Sequence, residues 1–134
     1  MPKFAVVLSV TLLATLSLTR PAQAIPQFQK EYLALYMGED KTTDFAKSLK
    51  QAGCWNCHQG KLRKNHNPYG IHLVDLLDKK ADMKNPEKIV EALKKVEAMH
   101  SVEGDDKSPT YGELIKEGKL PGGSLEDAKK EPAK

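Results

Sequence analysis

Cys54-Trp55-Asn56-Cys57-His58 is the stretch of this chain that most constrains its fold. It contains the only two cysteines among 134 residues. The two thiols are three positions apart, so on a helix they lie within one turn and on one face. The imidazole of His58 follows directly. One short segment therefore presents two sulfur nucleophiles and one nitrogen ligand.

This spacing, Cys-x-x-Cys-His, is the attachment signature of a c-type haem. Cys54 and Cys57 would each form a thioether to one haem vinyl group, and His58 would bind the iron. We therefore predict one covalently bound haem c per chain. Because a small chain has a limited core, the haem would serve as its central apolar element.

Three other interpretations of the cysteine pair remain open. A zinc site usually needs a second ligand pair, and only His66 and His72 lie near enough in sequence to contribute. A thioredoxin-like dithiol belongs after a strand in an alternating strand-helix pattern, and no strand is predicted before Gly53. An ordinary structural disulfide is the third interpretation.

The first 24 residues have the pattern of a secretory signal peptide. Lys3 precedes an apolar run from Phe4 to Leu18, and Ala22-Gln23-Ala24 is an Ala-x-Ala cleavage site. The run is short for a membrane span, which needs about 20 residues, although an uncleaved anchor is the alternative. We predict cleavage after Ala24, export to the periplasm and no permanent membrane span.

Removal of the signal peptide also changes the charge. Lys3 and Arg20 leave with it, so 19 of the 21 lysines and arginines remain against 18 aspartates and glutamates, a net charge of +1. This near-neutral balance argues against general nucleic-acid binding. Three of the cations, Lys61, Arg63 and Lys64, crowd just after the haem motif. They form either a solvated loop or a site that pairs with haem propionates or attracts an acidic partner.

Helical periodicity dominates the rest of the chain and predicts an all-α fold. Apolar residues at helical spacing run from Phe28 to Tyr36, and a second stretch with Thr43 as a possible N-cap leads into Cys54. Asn85-Pro86 predicts the start of a longer helix, and Thr110 to Glu113 matches a capping box. We expect one haem domain over residues 25–123 and a charged, disordered tail over residues 124–134.

With these elements in place, the chain resembles the small monohaem class I cytochromes c. The resemblance covers Phe28 to Leu120 in element order, and its specific motif is Cys54 to His58. It implies thioether cysteines at Cys54 and Cys57 and a proximal iron ligand at His58. It also makes Pro68 a candidate to accept the remaining N–H of that histidine, although Pro68 could simply shape a turn. Tyr69 could pack or could bind a propionate.

The resemblance further implies a distal methionine before the last helix, and Met99 fits that position best. Methionines otherwise fill gaps in cores, which is the ordinary role for each of them. A distal ligand other than Met99, or an open sixth position, stays possible. The other candidates are Met83, His100, His72 and His66, while Met37 is predicted to pack in the core.

The function that these features imply is single-electron transfer between redox partner proteins. No triad, phosphate-binding loop or acid/base pair occurs in the sequence, so we predict no catalytic residue and no enzyme activity of the chain itself, although it could belong to a larger redox enzyme complex. The first alternative is a haem protein that binds or senses a small ligand at an open sixth position. The second is an exported thiol-disulfide protein.

Overall fold

Six α-helices and one 3-10 turn make up the regular structure of residues 27–133, the part of the chain that the computed structural model describes. The predicted signal peptide lies outside these residues. The helices are α1 (Gln27–Tyr36), α2 (Asp44–Ala52), α3 (Gly70–Val74), α4 (Pro86–Glu97), α5 (Tyr111–Lys116) and α6 (Leu125–Lys129), and the 3-10 turn is Gly53–Asn56.

The all-α prediction is confirmed for this part of the chain. Residues 27–133 contain no β-strand, only two isolated bridges that pair His58 with His66 and His100 with Thr110. Also within these residues, no helix is long and apolar enough to cross a membrane.

The predicted helix starts are confirmed because each rests on a local hydrogen bond. The Thr43 side chain accepts from the backbone N–H of Ala46 at 3.1 Å, and Asn85 accepts in the same way from Lys88. Thr110 and Glu113 form the reciprocal pair of a capping box. Such caps satisfy N–H groups that the first helical turn leaves without partners.

The core lies where α1 packs against α4, the most extensive helix-helix contact of the fold, with α3 and α5 packed against α4. The chain's four tyrosines meet in this core through edge-to-face contacts. Ring centroids are 4.8 Å apart for Tyr32 and Tyr36, 5.9 Å for Tyr32 and Tyr69, and 5.3 Å for Tyr69 and Tyr111. The fully buried aliphatic side chains around them are Leu49, Ile89, Leu93 and Val96.

The end of the chain differs from the predicted disordered tail. Ser124 caps α6 by accepting from the backbone N–H of Asp127 at 3.1 Å, and Ala128 is buried against the 3-10 turn. The prediction rested on high charge and low apolar content. One buried alanine and a cap nevertheless place this helix against the segment that holds the cysteines.

Candidate cofactor site

The cysteine motif lies on a tight turn that continues directly from α2. Gly53 begins this turn with a φ of +53°, a left-handed conformation that glycine adopts without strain. The backbone N–H of His58 then donates to the carbonyl of Cys54 at 3.0 Å. The side chain of Asn56 anchors the turn to the preceding helix by donating to the carbonyl of Leu49 at 2.9 Å. Both thiols are free and partly exposed.

Cys54, Cys57 and His58 open into one cavity of about 390 Å³, a size typical of small-molecule and cofactor sites. Its wall comes from α1, the motif turn, the following loop, α3 and α4, and most of it is apolar. The apolar side chains that line it are Phe28, Tyr32, Leu73, Val74, Leu77, Ile89 and Leu93, and the polar ones other than the motif's histidine are Gln29, Asn56, Arg63, His66 and Lys79.

His58 is held in one tautomer by the loop that returns to the motif. Its Nδ1 lies 3.2 Å from the carbonyl oxygen of Asn65. A carbonyl only accepts, so Nδ1 carries the proton and Nε2 keeps a free lone pair. Burial, followed by the nearby His66 and Arg63, lowers the pKa of His58 below its ordinary value. The ring therefore favours the neutral form that binds metals.

The loop over residues 58–70 is pinned to the motif by Asn67, which is 1 % exposed. Its side-chain amide donates to the carbonyls of Trp55 and Asn56 at 2.9 and 3.1 Å, and its side-chain oxygen accepts from the backbone N–H of Gly70 at 2.8 Å. The sequence suggested only that the next residue, Pro68, could shape a turn. The buried amide saturates three backbone groups at once, and no local sequence signal reveals that role.

Gly70 allows α3 to approach the motif closely. A Cβ added at this position would lie 1.9 Å from the carbonyl oxygen of Cys57, well inside the contact distance of any two atoms. The first residue of α3 therefore rests on the backbone of the second cysteine, which places Leu73 and Val74 on the cavity wall.

The structure corrects the role suggested for Pro68. Its carbonyl accepts from the hydroxyl of Tyr111 at 2.9 Å, while the carbonyl of Asn65 faces His58. Pro68 therefore links the loop to α5. Tyr69 is fully buried among the other tyrosines.

Met99 lies away from the cavity. Its side chain packs against the hydrophobic core, and its backbone joins the end of α4 to Tyr111. Among residues 27–133, no methionine lines the cavity. The prediction of Met99 as a metal ligand therefore has no support from its position. It rested on order along the chain, whereas Met99 lies just after α4, where its carbonyl accepts from the backbone N–H of Tyr111 in α5.

Only His66 among the proposed distal ligands lines the cavity in the described part of the chain. Met83 is 42 % exposed, His72 packs beside Tyr111, and His100 bonds to the carbonyl of Ser108. His66 lies beside His58 across a short antiparallel bridge, with ring centroids 4.8 Å apart. Residues that face each other across such a bridge project to one side.

This side-by-side arrangement does not suit two ligands on opposite faces of one metal. In such a pair the two bound nitrogens are about 4 Å apart, since each metal–nitrogen bond is about 2.0 Å, and the ring centres are further apart still. Both rings would also have to approach from opposite directions. We therefore interpret His66 as a neighbour that helps to lower the pKa of His58, and not as a second ligand.

Two cations line the cavity, one before α3 in the sequence and one after it. Arg63 comes from the loop, where its guanidinium donates a hydrogen bond to Cys54 Sγ, and Lys79 follows α3. Lys61 and Lys64 are exposed and do not line the cavity. Of the three loop cations noted in the sequence, only Arg63 is placed to meet a ligand. Lys79 was not foreseen.

Two buried hydroxyls near the cysteines have no hydrogen-bond partner. They belong to Tyr32, which lines the cavity, and to Tyr69. Burial raises the pKa of Tyr32 well above its ordinary value. Burial likewise raises the pKa of the Cys57 thiol to about 12. Both groups stay neutral, and an unpaired buried hydroxyl is a ready donor to a polar group of a bound molecule.

The end of the chain covers the outer side of the motif. The backbone N–H of Gly60 donates to the carbonyl of Ala128 at 2.8 Å, and that of Lys61 donates to a carboxylate oxygen of Glu131 at 3.1 Å. The Nζ atom of Lys129 lies 5.2 Å from the ring centroid of Trp55, within cation–π range. The loop after His58 is thus bonded both to the motif and to the end of the chain.

A haem fits these residues better than a zinc ion does. Within residues 27–133, no three histidine, cysteine or acidic side chains are close enough together to hold a metal ion. Two thiols, one imidazole with a free Nε2, an apolar wall and two cations match a flat apolar group that brings its own metal and two carboxylates. In comparisons with protein-family models, curated proteins and solved structures, nothing matches this chain.

Proposed function

We propose that this protein is an exported monohaem c-type cytochrome that carries single electrons between redox partner proteins. The observation that carries the proposal is that Cys54, Cys57 and His58 line one mostly apolar cavity. The hydrogen bond from His58 Nδ1 to the carbonyl of Asn65 supports it, because it leaves Nε2 free for iron.

Each group around the cavity has a distinct task in this proposal. Cys54 and Cys57 hold the group covalently, so that it is not lost by dilution outside the cytoplasm. Arg63 and Lys79 pair with its carboxylates. Leu73, and the other aliphatic side chains of the wall, exclude water. When bound, haem supplies a ferrous/ferric couple that takes up and releases one electron.

Export and partners belong to the same proposal. The Ala-x-Ala site after a short apolar run favours cleavage after Ala24 and a periplasmic location. A carrier of this size would meet its redox partners through a small, transient interface.

The test is maturation in a bacterial host that has a cytochrome c maturation system. We expect the intact mass to equal the polypeptide without residues 1–24 plus one haem, with the haem retained after acid extraction. The Cys57→Ser variant should lack the second thioether. The His58→Ala variant should lack the absorption spectrum typical of haem iron that is bound by an imidazole. The mass of the bare polypeptide in the wild-type protein would refute the proposal.

The position of Met99 favours a second candidate function, the binding of a small ligand such as CO or NO. This candidate is favoured because, within residues 27–133, no methionine lines the cavity, so none is placed to occupy the sixth position of a bound iron. Mixing the ferrous holoprotein with CO separates the two functions. A fast and complete spectral change would support ligand binding, whereas resistance to CO would support the carrier.

A further inference from the structure

The two thiols of the motif lie in different surroundings although they open into the same cavity. Cys54 is partly exposed, and its sulfur accepts a hydrogen bond from the guanidinium of Arg63. A guanidinium is permanently charged and only donates. It therefore stabilises negative charge on the sulfur that it touches.

Cys57 has an apolar environment instead. It packs against the hydrophobic core cluster that contains Tyr32 and Tyr69, and Gly70 rests on its backbone. No side-chain donor in the described residues hydrogen-bonds to its sulfur. Packing of this kind limits the approach of a reagent to the Cys57 sulfur, and no cation of residues 27–133 lies beside it to attract a partner.

We infer that Cys54 is the reactive nucleophile of the pair in the haem-free protein, and that Arg63 activates it toward soft carbon electrophiles that enter the cavity. The sulfur of Cys54 attacks one carbon of an activated alkene and forms a carbon–sulfur bond. The alkene π bond breaks, and its other carbon takes a proton from solvent in exchange for the one that the thiol released. Nothing is oxidised or reduced in this addition.

This inference deepens the proposed function, because thioether formation is the same class of addition. Only its consequence, that Cys54 is joined before Cys57, rests on the proposed function. The difference in thiol reactivity itself needs no haem. If the protein matured in a competent host carries no haem while the two thiols still differ, the proposed function fails and the inference stands.

The experiment uses the full chain purified without haem, with reduced thiols, at pH 7.5. N-ethylmaleimide serves as the activated alkene, and peptide mass analysis of samples quenched over time gives a rate for each cysteine. We expect Cys54 to react about tenfold faster than Cys57 or more, since the Cys54 sulfur lies beside a guanidinium whereas the partly buried Cys57 packs against the core cluster with no cation of the described residues beside it. In concentrated urea the two rates should become equal.

Two charge-matched variants test the role of Arg63. Arg63→Gln should slow Cys54 about threefold or more, since it removes the group that stabilises the thiolate. Lys64→Gln removes the same charge from the neighbouring position and should leave the rate within about twofold, because an exposed charge that touches neither thiol is screened by salt. Arg63→Lys should restore part of the rate.

Equal rates for the two cysteines in the haem-free chain would overturn the inference, whatever its degree of folding. Equal effects of Arg63→Gln and Lys64→Gln would overturn the role of Arg63. The single-cysteine variants Cys54→Ser and Cys57→Ser provide a second measurement, since each reports the rate of one thiol without the other. They should reproduce the same order.

Discussion

At the residue scale, the site depends on a few polar atoms whose partners are far apart in sequence. The carbonyl of Asn65 fixes the tautomer of His58, and the side chain of Asn67 holds the loop on the motif. Local pattern supplied the candidate imidazole ligand itself. The neighbours that orient it were not predictable, because any backbone carbonyl can accept a hydrogen bond and only the path of the chain selects one.

Asn67→Ala tests the importance of the buried amide. The substitution leaves two buried carbonyls and the N–H of Gly70 without partners, so we expect a loss of about 2–4 kcal/mol in the free energy of unfolding. Asn85→Ala is the control, since it removes a single helix cap and should cost about 1 kcal/mol. Urea unfolding measures both. Equal losses would contradict the anchoring role of Asn67.

Met99→Leu tests the placement of Met99 outside the cavity. Because the side chain packs in the core, this swap of similar volume should cost less than about 1.5 kcal/mol and leave the absorption spectrum of the holoprotein unchanged. The test needs only the spectrum and a thermal unfolding curve. Loss of a methionine–iron band in the variant would show that Met99 does reach the iron.

His58 predicts how the stability of the haem-free protein changes with pH. Burial lowers its pKa in the folded state, whereas the unfolded chain has the ordinary value of about 6.5. Between the two values the unfolded state binds more protons, so this contribution to stability is present above about pH 6.5 and is lost as the pH falls through the folded value.

The measurement is urea unfolding of the haem-free protein at intervals from pH 7.5 to pH 5, compared with His58→Gln. The variant lacks the titrating group, so its stability should fall less over this range. Carboxylates contribute at lower pH in both proteins and cancel in the difference. An identical pH profile for the two proteins would show that His58 titrates normally.

At the element scale, α3 and α6 both contact the cysteine motif, and neither has the length of a helix that is stable alone. α3 relies on the close approach at Gly70. α6 relies on backbone bonds to the loop after His58. Sequence patterns predicted the longer helix α4 and its cap well, since its signals lie within one helical turn.

Gly70→Ala tests the approach of α3 to the motif. The added methyl group would collide with the carbonyl of Cys57, so we expect a loss of about 3 kcal/mol or more and a smaller yield of holoprotein. Gly38→Ala is the control. Its φ of +68° makes an alanine cost about 1 kcal/mol, but there is open space around it. Equal effects of the two substitutions would contradict a steric role for Gly70.

At the scale of the whole molecule, charge is uneven although the chain without residues 1–24 would be nearly neutral. Five cations lie on or next to the segments that border the cavity, namely Lys61, Arg63, Lys64, Lys79 and Lys80, against the exposed carboxylates of Asp75 and Asp78. Exposed apolar side chains, including Leu62 and Val74, lie in the same segments. A net positive field here would favour anionic reaction partners.

Small redox reagents of opposite charge test this field on the ferrous holoprotein. We expect oxidation by hexacyanoferrate(III), an anion, to slow as ionic strength rises from about 0.01 to 0.1 M, a range in which the screening length falls from about 30 to 10 Å. Oxidation by a cationic cobalt complex should speed up. Charge reversal at Lys61 and Lys64 should weaken both trends. Oxidation rates that do not change with ionic strength would contradict the prediction.

The sequence by itself determined the local structure of this protein and the reactive side chains that it brings together in one short motif. The Cys54 to His58 motif, the all-α class and the caps at Thr43, Asn85 and Thr110 depend on residues within a turn of one another, so spacing reveals them. Only the tertiary structure decided which distant groups meet at the cavity. It selected Asn65 over Pro68, brought in Arg63 and Lys79, left Met99 in the core and ordered α6. Such contacts depend on how the helices pack, and packing is set by the whole chain at once.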